Sequence, residues 1–318
     1  MKKFPPLELK NIKTYSLKDR PSKVSVNDFG RPWRYGGSLK DFFKGLPRIL
    51  AAHDFNQVAD KLARAVKEKR TVILAMGGHP IKVGLAPIII DLIERGVISL
   101  LAVNGSVMVH DTEVALAGAT SEDVAASINK GTFGMARETA ELINAAALEA
   151  VQNDSGLGMA LGLKLEAGHY PYANKSVFAA AARLNMPVTV HVALGTDIVH
   201  IHPQADGASL GQASLADFRL FCEAVATLED GVFINLGSAV ILPEVFLKAV
   251  SLARNLGHDL KGLTTVNMDF IRHYRPRVNV VERPTAQGGR GFNLIGHHEL
   301  MFPLLAAALI ERLDEKTG

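Results

Sequence analysis

The chain has 318 residues, of which 48% are hydrophobic and 21% are charged, so it can bury the core of one large α/β domain or of two smaller ones. Its formal net charge is only +3, and the basic residues are dispersed among acids, which excludes the basic stripe of a nucleic-acid-binding protein. The apolar runs at residues 81–90 and 301–310 are interrupted and fall short of a bilayer span. The first residues lack the apolar core of a signal peptide, so we expect a cytoplasmic protein without membrane association.

Residues 1–37 are rich in Lys, Pro and Gly and contain the single tryptophan, Trp33. This composition predicts an extended N-terminal arm ahead of one α/β domain over residues 38–318. Arms of this kind often pack on a neighbouring subunit, so we expect a homo-oligomer, either a dimer or a tetramer. Two helices are predicted next, over residues 39–52 and 55–69, because apolar residues recur there at helical spacing.

Short apolar segments then alternate with helical patterns. Strands are predicted at residues 71–76, 97–103, 187–194, 231–235 and 262–269. Helices are predicted at 81–96, at 121–152 with a break at 129–134, and at 176–185, 215–228, 243–256 and 298–313. Residues 153–172 form a Gly-rich connection, which by its length is either functional or contains a further helix. The alternation predicts an α/β, Rossmann-like fold, with a doubly wound and mostly parallel sheet and helices on both faces.

Small and polar residues follow the predicted strands. They are Gly77 and Gly78, then Asn104, Gly105 and Ser106, then Asp206, then Gly237 and Ser238, and finally Asp269. Because the carboxyl ends of parallel strands meet at one edge of the sheet, these residues are candidates for binding a nucleotide cofactor through backbone amides and helix starts. Ordinary βα turns also need Gly and Asn. No strand is followed by a Gly-x-Gly-x-x-Gly motif, and no Walker A motif is present.

His110 and Asp111 lie on the helix predicted after Ser106, close to this edge. Here a histidine can transfer a proton and a carboxylate can bind a cationic substrate. Glu113, on the same helix, is explained by the favourable interaction of an acid with the helix dipole. We therefore name His110 and Asp111 as candidate catalytic residues.

The loop after the third predicted strand contains His200 and His202. Two histidines that are two residues apart point to the same side of an extended segment, as the ligands of a divalent metal often do. A His-x-His pair in a polar loop is also commonly solvated or hydrogen-bonded. His200 is a candidate catalytic residue, and His200 with His202 is the candidate metal site. His297 and His298 are expected to cap a helix or to face solvent.

Several segments resemble the archaeal-type deoxyhypusine synthases. Asn-Gly-Ser-Val-Met-Val-His-Asp at residues 104–111 is similar to that family's Thr-Gly-Ala-Asn-x-x-His-Asp pattern, and Ala-Asp-Gly-Ala-Ser-Leu-Gly at 205–211 to its Thr-Asp-Gly-Ser-Leu-Gly. Further similarity lies at residues 76–84, 175–178 and 185–188. The resemblance implies an NAD-binding Rossmann-like fold, usually assembled as a homotetramer with active sites at subunit interfaces.

The chain departs from that family at one decisive position. The family's catalytic lysine follows a Gly-Gly-Gly-Val motif, whereas residues 236–243 read Leu-Gly-Ser-Ala-Val-Ile-Leu-Pro. Isoleucine and leucine cannot form the imine that this lysine forms. Lys248 lies about two helical turns further on, too far to replace it without rearrangement.

Three functional hypotheses remain. The first is a deoxyhypusine-synthase-like protein, a transferase or oxidoreductase, that binds NAD and a small cationic amine, with Asp111 and Asp206 holding the amine. The second is a metal-dependent hydrolase built on His200 and His202. The third is a non-catalytic nucleotide-binding protein.

Overall fold

The computed structural model describes residues 4–314, and its internal contacts divide the chain into one unit that ends at His53 and another that begins at Asp54. The first unit contains helix α1 (Leu39–Gly45), which begins with a capping box between Ser38 and Asp41. Trp33 packs edge to face on Phe42, with 5.8 Å between ring centroids. The helix ends earlier than predicted because Pro47 disfavours helical geometry at the residue before it. The predicted boundary at residue 37 stays a prediction.

The second unit is built on six strands. They are β1 (Val72–Met76), β2 (Leu100–Asn104), β3 (Val188–His191), β4 (Val232–Leu236), β5 (Thr264–Asp269) and β6 (Arg290–Ile295). All neighbouring strands are parallel, in the order β3-β2-β1-β4-β5-β6. This is the Rossmann order, in which β2 and β3 follow on one side of β1 and β4, β5 and β6 follow on its other side. The strand order therefore reverses between β1 and β4. The predicted fold class is therefore confirmed.

Twelve further α-helices connect and cover these strands within the described residues. They are α2 (Leu50–Lys67), α3 (His79–Lys82), α4 (Ala86–Glu94), α5 (Gly105–Ala117), α6 (Val124–Ser127), α7 (Arg137–Gln152), α8 (Leu157–Ala167), α9 (Val177–Arg183), α10 (Gly207–Ala226), α11 (Ile241–Asn255), α12 (Tyr274–Pro276) and α13 (His298–Leu313). The unassigned segment at 153–172 contains α8. The helix predicted over 81–96 is interrupted at Gly84, whose φ of +79° is left-handed.

Alternate residues of β1 pack on opposite faces of the sheet. Ile73 and Ala75 join one core cluster, in which Phe221 of α10 and Phe246 of α11 are buried. Val72 and Leu74 face the other side, against Leu62 of α2, Leu92 of α4 and Phe302 of α13. Burying each large apolar side chain contributes about 1.5–3 kcal/mol. Helices on both faces, as predicted, thus hold the sheet edge in place.

The sixth strand is absent from the predicted set. Its first residues, Arg290 and Gly291, continue a Gly-rich segment, and only Phe292 and Leu294 are buried. An edge strand with so few buried residues has too weak an alternation to be recognised from the sequence. Its pairing with β5 extends the sheet beyond the predicted edge and positions the residues before α13.

The structure gives information on two further features, membrane-spanning helices and the single cysteine. No helix within residues 4–314 is long and apolar enough to cross a membrane. Cys222 is a free, buried thiol within the core, and burial raises its pKa to about 11. Cys222 is thus a packed core residue rather than an activated nucleophile.

Candidate functional site

The carboxyl ends of β1 and β4 lie side by side at the point where the strand order reverses, with the ends of β2 and β5 next to them. We call the surface formed by these strand ends and the turns that follow them the switch-point crevice. The amide of Gly77 donates to the carbonyl of Leu236 at 3.1 Å. A Cβ on Gly77 would lie only 2.6 Å from the carbonyl oxygen of Gly237, which itself has a φ of +67°. Glycine at both positions lets the two turns approach closely.

The turn after β2 contacts the turn after β1. Asn104 caps α5 by accepting a hydrogen bond from the amide of Val107 at 3.3 Å. A Cβ on Gly78 would lie 2.2 Å from Oγ of Ser106 and 3.1 Å from Cδ2 of His110. Gly78, Ser106 and His110 are therefore brought together at the crevice, as the sequence pattern predicts for a shared sheet edge.

Hydrogen bonds determine the tautomer of His110. Oγ1 of Thr120 donates to Oε2 of Glu113 at 2.5 Å, so it accepts from Nδ1 of His110 at 2.8 Å. Burial alone would raise the pKa of Glu113, but the interactions with His110 and Thr120 outweigh it and hold that pKa below its usual value. With its proton on Nδ1, neutral His110 has a lone pair on Nε2, at the ring edge near Gly78. Glu113, explained from the sequence only by the helix dipole, thus has a second role that depends on Thr120.

Asp111 points away from His110, since consecutive helical residues are rotated by about 100°. Its carboxylate is fully buried and accepts hydrogen bonds from Oγ of Ser176 at 2.5 Å and from the amides of Val177 at 2.9 Å and Phe178 at 3.3 Å. Burial raises the pKa of Asp111 to about 6, against the effect of these bonds. These partners give the carboxylate a structural role at the N-terminus of α9.

Two other predicted residues also cap helices. Asp206 accepts hydrogen bonds from the amide and the hydroxyl of Ser209, at 2.8 and 2.5 Å, and these bonds lower its pKa. Ser238 is buried, and its hydroxyl accepts from the amide of Leu242 at 3.2 Å, at the start of α11. These contacts show that both side chains cap the N-termini of helices, a structural role that is common in ordinary βα turns.

Asp197 contacts Gly105, the first residue of α5 and one of the predicted cofactor-binding residues. A Cβ on Gly105 would lie 1.8 Å from Oδ2 of Asp197. This oxygen is buried and has no hydrogen-bond partner. Burial raises the pKa of Asp197, while His200 and His110 act in the opposite direction. A helix N-terminus favours negative charge nearby, but the buried oxygen still lacks a donor.

His200 and His202 point to different partners. Nδ1 of His200 accepts from the amides of Gly195 at 3.1 Å and Asp197 at 3.2 Å, which places its proton on Nε2. That nitrogen is buried and has no partner. Nε2 of His202 interacts with the carbonyl of Gly134 at 2.8 Å. Among the described residues, no group of three or more His, Cys, Asp or Glu side chains could hold a metal ion, so no observation here supports the metal-site hypothesis.

His298 lies at the β5 side of the crevice, and the prediction made for it from the sequence is wrong. His298 was expected to cap a helix or face solvent, but it is only 1% exposed, and neither ring nitrogen is hydrogen-bonded. Its Nε2 lies 3.7 Å from Oδ1 of Asp269, and burial lowers its pKa despite this carboxylate. The ring packs against His79 and Phe270, at centroid distances of 5.2 and 5.7 Å. His298 is buried because β6, absent from the predicted strands, brings the start of α13 against Gly237.

An asparagine ladder crosses the sheet below this region. Asn235, Asn267 and Asn293 are in register on β4, β5 and β6. Nδ2 of Asn235 donates to Asn267 at 2.8 Å, and Nδ2 of Asn267 donates to Asn293 at 3.3 Å. Asn235 also donates to the carbonyl of Ser238 at 2.9 Å. The ladder thereby connects strand pairing to the geometry of the turn after β4.

Lys248 does not replace the missing lysine of the resembled family. Its Nζ pairs with Oε2 of Glu244 at 2.5 Å, one turn earlier on α11, and its side chain is 60% exposed. Such i,i+4 pairs are a common feature of the solvent-facing side of a helix. The crevice therefore has no lysine in the position that carries imine chemistry.

The strand order and the crevice define a doubly wound α/β protein of the Rossmann-like class. No protein-family model and no curated protein matches the sequence. Its structure resembles a putative deoxyhypusine synthase from Entamoeba histolytica, with a TM-score of 0.53 and 13% identity over 89% of this chain and 96% of that one. The fold is thus deoxyhypusine-synthase-like, which confirms the predicted resemblance at the level of structure.

Two longer proteins contain the same fold. One is ArgZ, an arginine dihydrolase from the ornithine-ammonia cycle in cyanobacteria, with a TM-score of 0.51 and 16% identity over 83% of this chain. The other is AgrE in a ternary complex with ornithine and NAD⁺, with a TM-score of 0.50 and 15% identity over 83%. The chain spans about a third of the length of each, 33% in both cases. At these identities the similarity concerns the fold alone.

Proposed function

We propose that this protein is an enzyme that binds NAD or a related nucleotide in the switch-point crevice and oxidises a small cationic amine there, without a lysine-linked imine. The observation that carries the proposal is that the turns at Gly77, Gly105 and Gly237 meet His110 at the point where the strand order reverses. Open α/β sheets bind their ligands at this point. The NAD⁺ in the AgrE complex, whose chain includes a similar fold, adds support.

The residues of the crevice fit a nucleotide. A nucleotide carries ribose hydroxyls and ring or amide nitrogens, which both donate and accept hydrogen bonds. The crevice and the asparagine ladder just below it contain matching groups that have no hydrogen-bond partner, namely both ring nitrogens of His298 and Oδ1 of Asn235. The Gly77 and Gly78 turn and the hydroxyl of Ser106 would hold the phosphates and ribose, and Asp269 with His298 would hold a base.

His110 is the proton acceptor in this proposal. Oxidation of an amine CH–NH group to C=N transfers a hydride, with its two electrons, from the carbon and releases one proton from the nitrogen. A bound nicotinamide ring would supply the two-electron acceptor. Nε2 of His110 would take the proton from nitrogen, because Thr120 holds the ring's own proton on Nδ1. Glu113 and Thr120 position the ring and stabilise its charged form.

The absence of the lysine determines what happens to the imine product. Since no lysine side chain follows the turn at Gly237, the oxidised amine stays a free imine, which water can hydrolyse to a carbonyl compound and ammonia or a smaller amine. This separates the proposed reaction from aminobutyl transfer to a protein lysine. Asp111 and Asp206, assigned to the cation from the sequence, are engaged as helix caps, so the cation must be held elsewhere.

Calorimetry with NAD⁺, NADH and AMP tests the nucleotide claim. Gly78→Ala places a methyl group against Ser106 and is expected to weaken binding about tenfold or more. Gly207→Ala is the matched control, because a Cβ there meets no atom within 4 Å. Circular dichroism confirms that each variant is folded. Absence of binding heat with all three nucleotides at millimolar concentration would contradict the proposal.

Turnover separates an enzyme from a non-catalytic nucleotide-binding protein. Formation of NADH, followed by absorbance with a panel of small amines, is expected for the wild-type protein and lost in His110→Gln, with the Kd for NAD⁺ unchanged. Nucleotide binding without NADH formation from any amine would instead favour the non-catalytic alternative.

A further inference from the structure

Three polar groups that the proposed nucleotide contacts leave unused lie around the start of α5. Oδ2 of Asp197 is a buried acceptor with no partner, and it contacts Gly105. Nε2 of His200 is a buried donor with no partner, three residues further along the chain. Nε2 of His110 carries a lone pair, and His110 lies on α5, the helix whose first residue, Gly105, Asp197 contacts. Buried polar groups without partners are uncommon and costly, so they point to a ligand.

Together, Asp197, His110 and His200 present two hydrogen-bond acceptors and one donor. This combination indicates which ligand would satisfy all three groups. A protonated amine has only donors, which suit Asp197 and His110 but leave the N–H of His200 unpaired. A hydroxyl or carboxylate oxygen near the amine would accept that N–H. We propose that Asp197, His110 and His200 form the amine subsite of the crevice, and that its substrate carries an oxygen acceptor on the carbon next to the aminated carbon, as α-amino acids and vicinal amino alcohols do.

This inference rests on the proposed function, because it names the substrate class of the same crevice. It excludes simple diamines and polyamines as preferred substrates. Leaving a buried N–H without an acceptor costs about 1–3 kcal/mol, which corresponds to roughly a tenfold to hundredfold loss of affinity. An oxygen-bearing amine avoids that loss, so the discrimination depends on His200 rather than on the carboxylate that both kinds of ligand share.

The local backbone supports a binding role for these side chains. The amides of Gly195 and Asp197 fix the ring of His200 by donating to Nδ1. Gly105 provides the space that the carboxylate of Asp197 occupies. Neither side chain therefore depends on a bound ligand for its orientation, and a preorganised subsite loses less entropy on binding.

Calorimetry with matched amines tests the subsite. The probes are 1,4-diaminobutane, ornithine and 2,5-diamino-1-pentanol, of which the last two add a carboxylate or a hydroxymethyl group to the same diamine. For the wild-type protein, at least one oxygen-bearing probe is expected to bind about tenfold or more tightly than the diamine. Equal affinities for all three probes would overturn the proposal, as would ordered water filling the subsite in a crystal soaked with them.

Variants assign the discrimination to individual residues. Asp197→Asn is expected to abolish binding of all three amines. His200→Leu should lower the affinity of the oxygen-bearing amines to that of the diamine, which should itself bind unchanged. His202→Leu is the matched control in the same loop and should alter neither. If His200→Leu weakened every probe equally, the oxygen contact would be refuted.

Nucleotide binding is measured in the same samples. Asp197→Asn and His200→Leu are expected to keep the wild-type Kd for NAD⁺. If the amines fail to discriminate while NAD⁺ binds, the subsite proposal fails and the nucleotide proposal survives. If NAD⁺ does not bind while the amine preferences hold, the outcome is reversed.

Discussion

Asp111 and Asp197 are both carboxylates near the ends of helices, but their surroundings differ completely. Asp111 is fully buried and accepts three hydrogen bonds from the first turn of α9 and from Ser176. Asp197 touches the start of α5, and its buried Oδ2 accepts none. Removing a buried carboxylate that accepts hydrogen bonds leaves its donors unpaired, whereas a buried oxygen that accepts none costs free energy that a ligand can recover. The two residues thus separate structure from function within one sheet edge.

Removing the satisfied carboxylate should have the largest effect. Asp111→Ala leaves the amides of Val177 and Phe178 and the hydroxyl of Ser176 without their acceptor. The free energy of unfolding is expected to fall by about 2–4 kcal/mol, as measured by urea denaturation. An unchanged denaturation midpoint would show that Asp111 is not a structural cap.

The close approach of two turns gives the next largest effect. Gly77→Ala drives a methyl group against the backbone carbonyl of Gly237, which cannot move independently of β4. We expect a loss of about 2 kcal/mol in unfolding free energy. At Gly78 the nearest atom is the hydroxyl oxygen of Ser106, so Gly78→Ala should reduce stability less than Gly77→Ala. Similar losses in both variants would contradict this account of the crevice.

The contacts behind His110 give a third comparison. Glu113→Gln keeps the shape of the side chain but removes the charge that faces His110 through Thr120. We expect kcat for amine oxidation to fall about tenfold, with the Kd for NAD⁺ unaffected. Partial rescue by Glu113→Asp would support a positioning role. A full loss of nucleotide binding in Glu113→Gln would indicate structural damage instead.

The pH dependence of stability tests a second buried carboxylate. Asp217 accepts from the amides of Gly158 at 2.9 Å and Val190 at 2.8 Å, yet burial raises its pKa to about 7. A folded-state pKa above the unfolded value means that the unfolded state loses its proton first as the pH rises. Stability from this group therefore declines between about pH 4 and pH 7.

Asp217→Asn removes that titration. Relative to the wild-type protein, the variant should gain unfolding free energy as the pH is raised from 4 to 7, measured by urea denaturation at each pH. Parallel curves for the two proteins would show that the Asp217 carboxyl titrates alike in the folded and unfolded states.

Asp197 should show the smallest effect, and one of opposite sign. Asp197→Asn removes the charge from a carboxylate whose buried Oδ2 has no partner, so the unfolding free energy is expected to rise by about 1 kcal/mol or less. A clear loss of stability would mean that the hydrogen bonds of Asp197 within its own loop outweigh the cost of its unpaired Oδ2, and the comparison with Asp111 would fail.

Much of the fold follows from local patterns in the sequence. Three of the six strands, β1, β2 and β4, have near-continuous apolar runs, because parallel strands are buried on both faces, and the turns that follow them carry recognisable Gly, Asn and Ser residues. The sixth strand and the helix α8 escape recognition for the opposite reason. Their Gly-rich segments have weak periodicity, and only pairing and packing in the folded chain stabilise them.

The candidate site is divided in the same way. That His110 and Ser106 share an edge with Gly78 follows from the parallel sheet, and the missing lysine is evident from residues 236–243 alone. The direction of each side chain does not follow. His110 and Asp111 are adjacent in sequence, but helix rotation sends one towards the crevice and the other towards α9.

The sequence by itself determined the fold class and the strand ends that form the crevice, because the periodicity of apolar residues encodes burial directly. Only the tertiary structure decided which polar groups find partners there. Asp111 accepts a hydrogen bond from Ser176, 65 residues away, while the Oδ2 atom of Asp197 lies against the glycine at the start of α5 without a donor. Whether a carboxylate caps a helix or awaits a ligand depends on which donors lie within about 3 Å of it, and those donors come from distant parts of the chain.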